Sequence, residues 1–79
     1  MRAKMQIQKI EQHIYGQETL HLSAVARKDS YPADGSDEDN TYAKFSPSGA
    51  MTLTIANPAL IGQFKPGEKY YIDFTKAPD

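Results

Sequence analysis

The chain has 79 residues, a formal net charge of −1 and an isoelectric point near 6.1. That length makes one domain, and a domain so short buries only about 60% of the surface its unfolded chain exposes, which leaves a thin stability margin. The absence of Cys excludes a disulfide staple and a thiolate zinc site, and near-neutral charge argues against strong non-specific attraction to nucleic-acid phosphates or an anionic membrane.

With those staples missing, self-association through an exposed strand edge or an apolar surface left by the small core, in the first place as a dimer, is the expected source of extra stability. Met1 to Lys4 carries the charge of a signal peptide's first region, but Gln6, Gln8 and Lys9 interrupt the apolar run that would follow. No segment approaches the roughly 18 apolar residues of a membrane span. The expected setting is soluble and intracellular, with no membrane partner.

From Met5 to Arg27 the pattern predicts strand, turn, strand. Leu20, Leu22, Ala24 and Ala26 alternate with Thr19, His21, Ser23 and Val25, a period of two that puts the first set on one face. In the preceding strand Met5 and Ile7 are odd while Ile10 and Ile14 are even, so a β-bulge is expected near Gln8 and Lys9. A three-residue loop Ile14-Tyr15-Gly16, with Gly16 left-handed, then places Ile10 opposite Leu20.

Lys28 to Asn40 reads as an exposed, mobile loop. It holds Pro32, Gly35 and five of the ten acidic residues, namely Asp29, Asp34, Asp37, Glu38 and Asp39. Its apolar content is too low to offset its ordering entropy, and Tyr31 is its one expected anchor.

Asn40 to Ala56 predicts a second hairpin. Thr41, Ala43 and Phe45 share one face, Ser46-Pro47-Ser48-Gly49 turns the chain, and Met51, Leu53 and Ile55 alternate with Thr52 and Thr54. Asn57-Pro58 has the form of an N-cap followed by Pro at the first helical position, which predicts a short helical turn through Leu60, Ile61 and Phe64. Pro66-Gly67 then launches a last strand, Lys69 to Thr75, with Lys76 to Asp79 as a tail. The fold class expected is all-β: five antiparallel strands in a small barrel or sandwich, organised around Ala50 to Phe74. Its expected core is Leu20, Leu22, Met51, Leu53, Ile55, Leu60, Tyr70, Ile72 and Phe74.

Candidate sites are few. His13 and His21 across the first hairpin make only half a metal site. The acids Asp34, Asp37 and Asp39 supply oxygen ligands, yet their spacing fails the EF-hand pattern, so the loop is better read as an acidic contact for a basic protein, with Tyr31, Asp34, Asp37, Glu38 and Asp39 as binding residues. Tyr42, Lys44 and Tyr71, with Tyr70, Lys65 and Lys69, interleave aromatic and basic groups as single-strand binders do. Aromatics on strands more often fill cores and cross-strand pairs, and Tyr70 shares the core parity of Ile72 and Phe74. No serine sits in a nucleophile elbow, and the paired carboxylates lie in one loop where nothing would separate their pKa values. The expectation is a non-enzyme without cofactor or metal.

The segment from Tyr31 to Ala77, in particular NTYAKFSPSGAMTLTIANPALIGQFKPGEKYYIDFTKA, resembles small uncharacterised proteins encoded by tailed bacteriophages and prophages. The resemblance implies a phage-borne origin and a compact β fold and carries over no site residue. The function expected is contact with a phage or host protein, as a virion assembly accessory or an inhibitor of a host protein, in the bacterial cytoplasm or the virion. The alternative is a weak single-strand nucleic-acid binder.

Overall fold

The computed structural model describes all 79 residues, Met1–Asp79. Four strands, β1 (Arg2–Gln12), β2 (Glu18–Ala24), β3 (Ala50–Ile55) and β4 (Lys69–Asp73), form one antiparallel sheet in the order β3-β2-β1-β4, curled into a half-barrel. The spine is therefore β1 with β2, not the expected stretch Ala50 to Phe74.

The first hairpin follows from its sequence. Ile10 lies opposite Leu20, and the register shifts between Ile7 and Lys9, so the extra residue carries the apolar set from odd to even positions without turning it outward. Gly16 has φ +85°, and the His13 N–H donates to Gln17 O at 2.9 Å to close the loop. On the other side of β1, Ala3 faces Ile72 and Met5 faces Tyr70 of β4.

Two expected elements are not formed. Thr41 to Phe45 is not a strand, and β3 pairs with β2 instead. The Asn40 carbonyl accepts from Ala43 N–H at 3.0 Å and Phe45 adopts φ 57°, so the backbone turns just where an extended run would begin. The helical turn after Asn57 is absent as well. Asn57 Oδ1 does accept from the Ala59 N–H at 3.0 Å, as a cap would. Leu60 N–H then returns to Asn57 O and Gln63 N–H to Leu60 O, giving successive turns. Gly62 at φ +81° ends any helical run there.

The core is one apolar layer: Ala3, Met5 and Ile7 of β1, Leu20 and Leu22 of β2, and Ile55 of β3. Ile61 and Phe64 of the β3–β4 connection pack over it from one side, with Phe64 edge-on to Tyr70 at 5.6 Å. Burying a Leu or Ile side chain contributes about 1.5–3 kcal/mol, so six buried apolar residues make a small core. Three residues expected inside are exposed instead, Leu53 at 49%, Leu60 at 42% and Phe74 at 58%. Alternation put Leu53 on the apolar face of β3, but no second layer covers that end of it. The result is flat: the extents are 49 × 34 × 16 Å and the radius of gyration is 14.7 Å, against about 12 Å for a compact chain of this length.

Candidate functional site

The acidic segment is tied into the sheet rather than wholly exposed. Asn40 is fully buried; its Oδ1 accepts the Lys4 N–H at 2.9 Å, and its Nδ2 donates to Val25 O at 2.8 Å and to Asp37 Oδ2 at 3.1 Å. Beside it, Thr41 N–H donates to Arg2 O and Thr41 Oγ1 accepts from Arg2 N–H, so this short stretch continues the sheet alongside β1 past the end of β2. Asp37 is buried too, its Oδ1 taking the Asp39 N–H at 2.9 Å. Local bonds of this kind compete with strand formation and fix a turn.

Asp34, Asp37, Glu38 and Asp39, the acids named as binding residues, each have a partner within the chain. Asp34 accepts from Ser36 N–H at 3.0 Å, which with the Ser36 hydroxyl holds its pKa below the ordinary value. Glu38 lies 3.4 Å from the Arg27 guanidinium. Asp39 accepts from the Tyr71 hydroxyl at 2.7 Å and from Lys4 Nζ at 3.4 Å. The Tyr71 bond is the main cause of a lowered Asp39 pKa, and the same bond raises that of Tyr71. Ion pairs near the surface contribute little each, yet they leave few of these carboxylates unpaired for an outside partner.

Tyr31, Tyr42, Lys44 and Tyr71, the aromatic and basic residues named as binding residues, have separate partners within the chain. Tyr31 packs edge-on to Phe45 at 5.9 Å, Tyr42 leans on the core, and Lys44 Nζ donates to Asp34 O at 3.1 Å. Tyr71 is covered by the Arg2 guanidinium, 4.3 Å from its ring centroid, and Arg2 is held in turn by Asp73 at 2.8 Å. His13 bonds Thr19 and His21 bonds Glu11, so the two rings serve separate partners.

Two concavities remain. One, of about 390 Å³, is a shallow polar cleft lined by Ser36, Asp37, Glu38, Thr41, Ala43 and Lys44. Its acids and its lysine are the ones already partnered. The other, about 160 Å³, lies on the apolar face of the sheet among Leu20, Leu22, Met51, Leu53, Phe64 and Ile72, with no charged group lining it. Its position, next to exposed Leu53, makes this face the better candidate for contact.

Sequence reasoning missed Glu18. It is 1% exposed, on the apolar side of β2 opposite Ile55, where its carboxylate accepts from Gly62 N–H at 3.3 Å and Gln12 Nε2 at 3.2 Å. Its parity with Leu20 and Leu22 was the available signal. The apolar surface is expected from sequence only in general terms, as what a small core leaves open, and its location had a signal in the single connection between β3 and β4. No helix is long and apolar enough to cross a membrane. No protein-family model, no curated protein and no solved structure matches the chain.

Proposed function

We infer that this protein is a non-enzymatic module that works through protein–protein contact, with the open apolar face of the half-barrel as its working surface. The observation that carries the reading is the apolar concavity lined by Leu20, Leu22, Met51, Leu53, Phe64 and Ile72, with Leu53 half exposed at its edge. Contiguous apolar surface left outside a core marks a contact site. The opposite face presents Arg2, Lys4, Thr19, His21, Thr52 and Tyr71, as a solvated face does. The acidic loop serves chiefly to complete the sheet, and it offers a basic partner only what Asp29 and the outer edge of Glu38 leave free. A phage or prophage origin, with a place in virion assembly or on one host protein, belongs to the same proposal.

The test is a photoreactive residue at Leu53, compared with one at Lys9 on the other face. One defined protein adduct from position 53 and none from position 9 is expected. Equal labelling from both positions, or none, overturns the reading, and an oligonucleotide adduct in its place would favour single-strand binding.

A further inference from the structure

β3 is an edge strand, and the direction of its backbone groups follows from one bond. The Ala24 N–H donates to Gly49 O at 2.9 Å, and the register sets Ser23 opposite Ala50 and Leu22 opposite Met51. Antiparallel ladders alternate between bonded and non-bonded pairs. Gly49, Met51, Leu53 and Ile55 therefore turn their N–H and C=O groups toward β2. Ala50, Thr52 and Thr54 turn theirs away from the sheet, on the side where β3 has no neighbour.

This edge lacks the usual protection. Ala50 to Ile55 contains no charge and no proline, and four of its six residues are Thr, Leu or Ile. Natural edges are blunted by Lys, Pro, bulges or brevity. The opposite edge, β4, carries Lys69 and Asp73.

The area points the same way. The accessible surface is 5677 Å², whereas a compact monomer of this mass exposes about 4,800 Å². The excess, roughly 900 Å², is close to the roughly 800 Å² that one partner contributes to a standard interface.

We propose that a second copy of this chain pairs with it, β3 against β3, antiparallel about a two-fold axis at Thr52. The inference rests on the reading of the apolar face as a contact surface and names its occupant. A two-fold interface needs one patch that is complementary to itself, and an antiparallel pair made from one strand meets that need. With the axis at Thr52, Thr52 meets its own copy and Ala50 meets Thr54 of the second copy, so every outward residue of both edges is bonded. Moving the axis to Met51 or Leu53 leaves one outward residue of each strand without a strand partner. On the apolar face the same register sets Met51 beside Leu53 of the second copy, which covers the side chain left half exposed in the single chain. Two four-stranded sheets become one continuous sheet of eight strands, with only the charged β4 strands at its edges.

Sedimentation velocity of the full chain tests this, with the wild type beside Thr52→Pro, Thr52→Lys and Thr52→Glu. Proline removes an outward N–H and none that β2 uses, which an edge strand tolerates. The wild type should sediment as a dimer at tens of micromolar, and Thr52→Pro as a monomer with an unchanged circular dichroism spectrum. Thr52→Lys and Thr52→Glu should each be monomeric at low salt, because like charges face each other at the axis. Mixed, they should form a one-to-one dimer. The charged pair keeps the test valid if the proline variant fails to fold. A monomeric wild type, or a dimer that survives both the proline and the lysine substitutions, overturns the proposal, and loss of both charged homodimers with no mixed dimer overturns the axis at Thr52. A monomeric wild type that still cross-links from Leu53 to a different protein overturns the second copy alone and leaves the contact surface standing.

Discussion

The Asn40 side-chain carbonyl accepts the backbone N–H of Lys4 at 2.9 Å across a separation of 36 residues, and it stands where the next rung of the β1–β2 ladder would be. The same amide group donates to Val25 O, the residue just past the end of β2. One side chain thus replaces a strand residue on both of its sides. Truncating a buried group whose removal leaves such donors and acceptors unpaired costs about 1–3 kcal/mol for each orphaned group.

Asn40→Ala should therefore destabilise the chain by about 2–4 kcal/mol in urea unfolding, enough to unfold much of a domain this small. Asn40→Asp, though nearly isosteric, should be almost as damaging, because it sets a second carboxylate against Asp37 and an acceptor against the Val25 carbonyl. A midpoint unchanged in both variants would remove Asn40 from the role assigned to it.

Within the acidic segment, Asp37→Ser and Glu38→Ser should behave differently. Asp37 is buried and holds the Asp39 N–H and the Asn40 amide, so its loss should cost about 1–3 kcal/mol. Glu38 is exposed and makes one long ion pair, so its loss should lie within about 0.5 kcal/mol of zero. Equal effects in thermal unfolding would contradict this division of the loop.

Leucines at equivalent sequence positions should separate by burial. Leu20→Ala should cost about 2–5 kcal/mol, as a fully buried leucine does. Leu53→Ala, opposite it on β3, should cost roughly 1 kcal/mol or less when measured at nanomolar concentration, where no second chain covers it. At high concentration the Leu53 variant should lose more, and a concentration-independent difference would count against a partner on that face.

The pH dependence has a defined sign. The Asp39 pKa is lowered in the folded chain, first by the Tyr71 hydroxyl, from an ordinary 3.8. A lowered carboxyl pKa gives stability that is present above that ordinary value and is lost as pH falls toward and through the folded one. Tyr71→Phe should raise the Asp39 pKa, seen by carboxyl-carbon NMR titration, and bring acid unfolding to a higher pH. On the alkaline side the Tyr71 pKa is raised from 10.0 by the same bond, so that contribution fades as pH rises above it. An unmoved Asp39 titration would show that the bond does not persist in solution.

Gly35 and Gly16 both have positive φ, +73° and +85°, but they differ in surroundings. A Cβ on Gly35 would lie 2.6 Å from the Phe45 ring, and one on Gly16 would meet nothing within 4 Å. Gly16→Ala should show the backbone strain alone, about 1–2 kcal/mol. Gly35→Ala should exceed it and free the Phe45 ring from Tyr31, which tyrosine fluorescence would register.

What was legible in the sequence was local. The parity change near Gln8, the reversal at Gly16 and the alternation of Met51, Leu53 and Ile55 are carried by neighbours, and each is found where expected. What was not legible is the pairing beyond the first hairpin. Thr41 to Phe45 alternates acceptably, but Asn40 and Asp37 close a turn there, and β2 then takes β3 as its partner. Alternation also tells which side of β3 Leu53 occupies and not whether anything lies over it. For the acids the signal failed for a related reason: Asp39 finds Lys4 and Tyr71 at separations of 35 and 32 residues, which no local pattern encodes. Glu18 was hidden by its chemistry, because a carboxylate in an apolar parity is ordinarily taken to lie at a strand end in water.

The strand order also sets the timing of folding. The β1–β2 hairpin closes over a three-residue loop, whereas β1 meets β4 only after some sixty more residues have been made, with Arg2 opposite Asp73. During synthesis a nascent hairpin thus waits with the outer edge of β1 unsealed, and a high share of long-range pairing slows the final closure. A ribosome stalled before Lys69 should hold a protease-sensitive, chaperone-binding chain, and one stalled with β4 fully emerged should hold a resistant one.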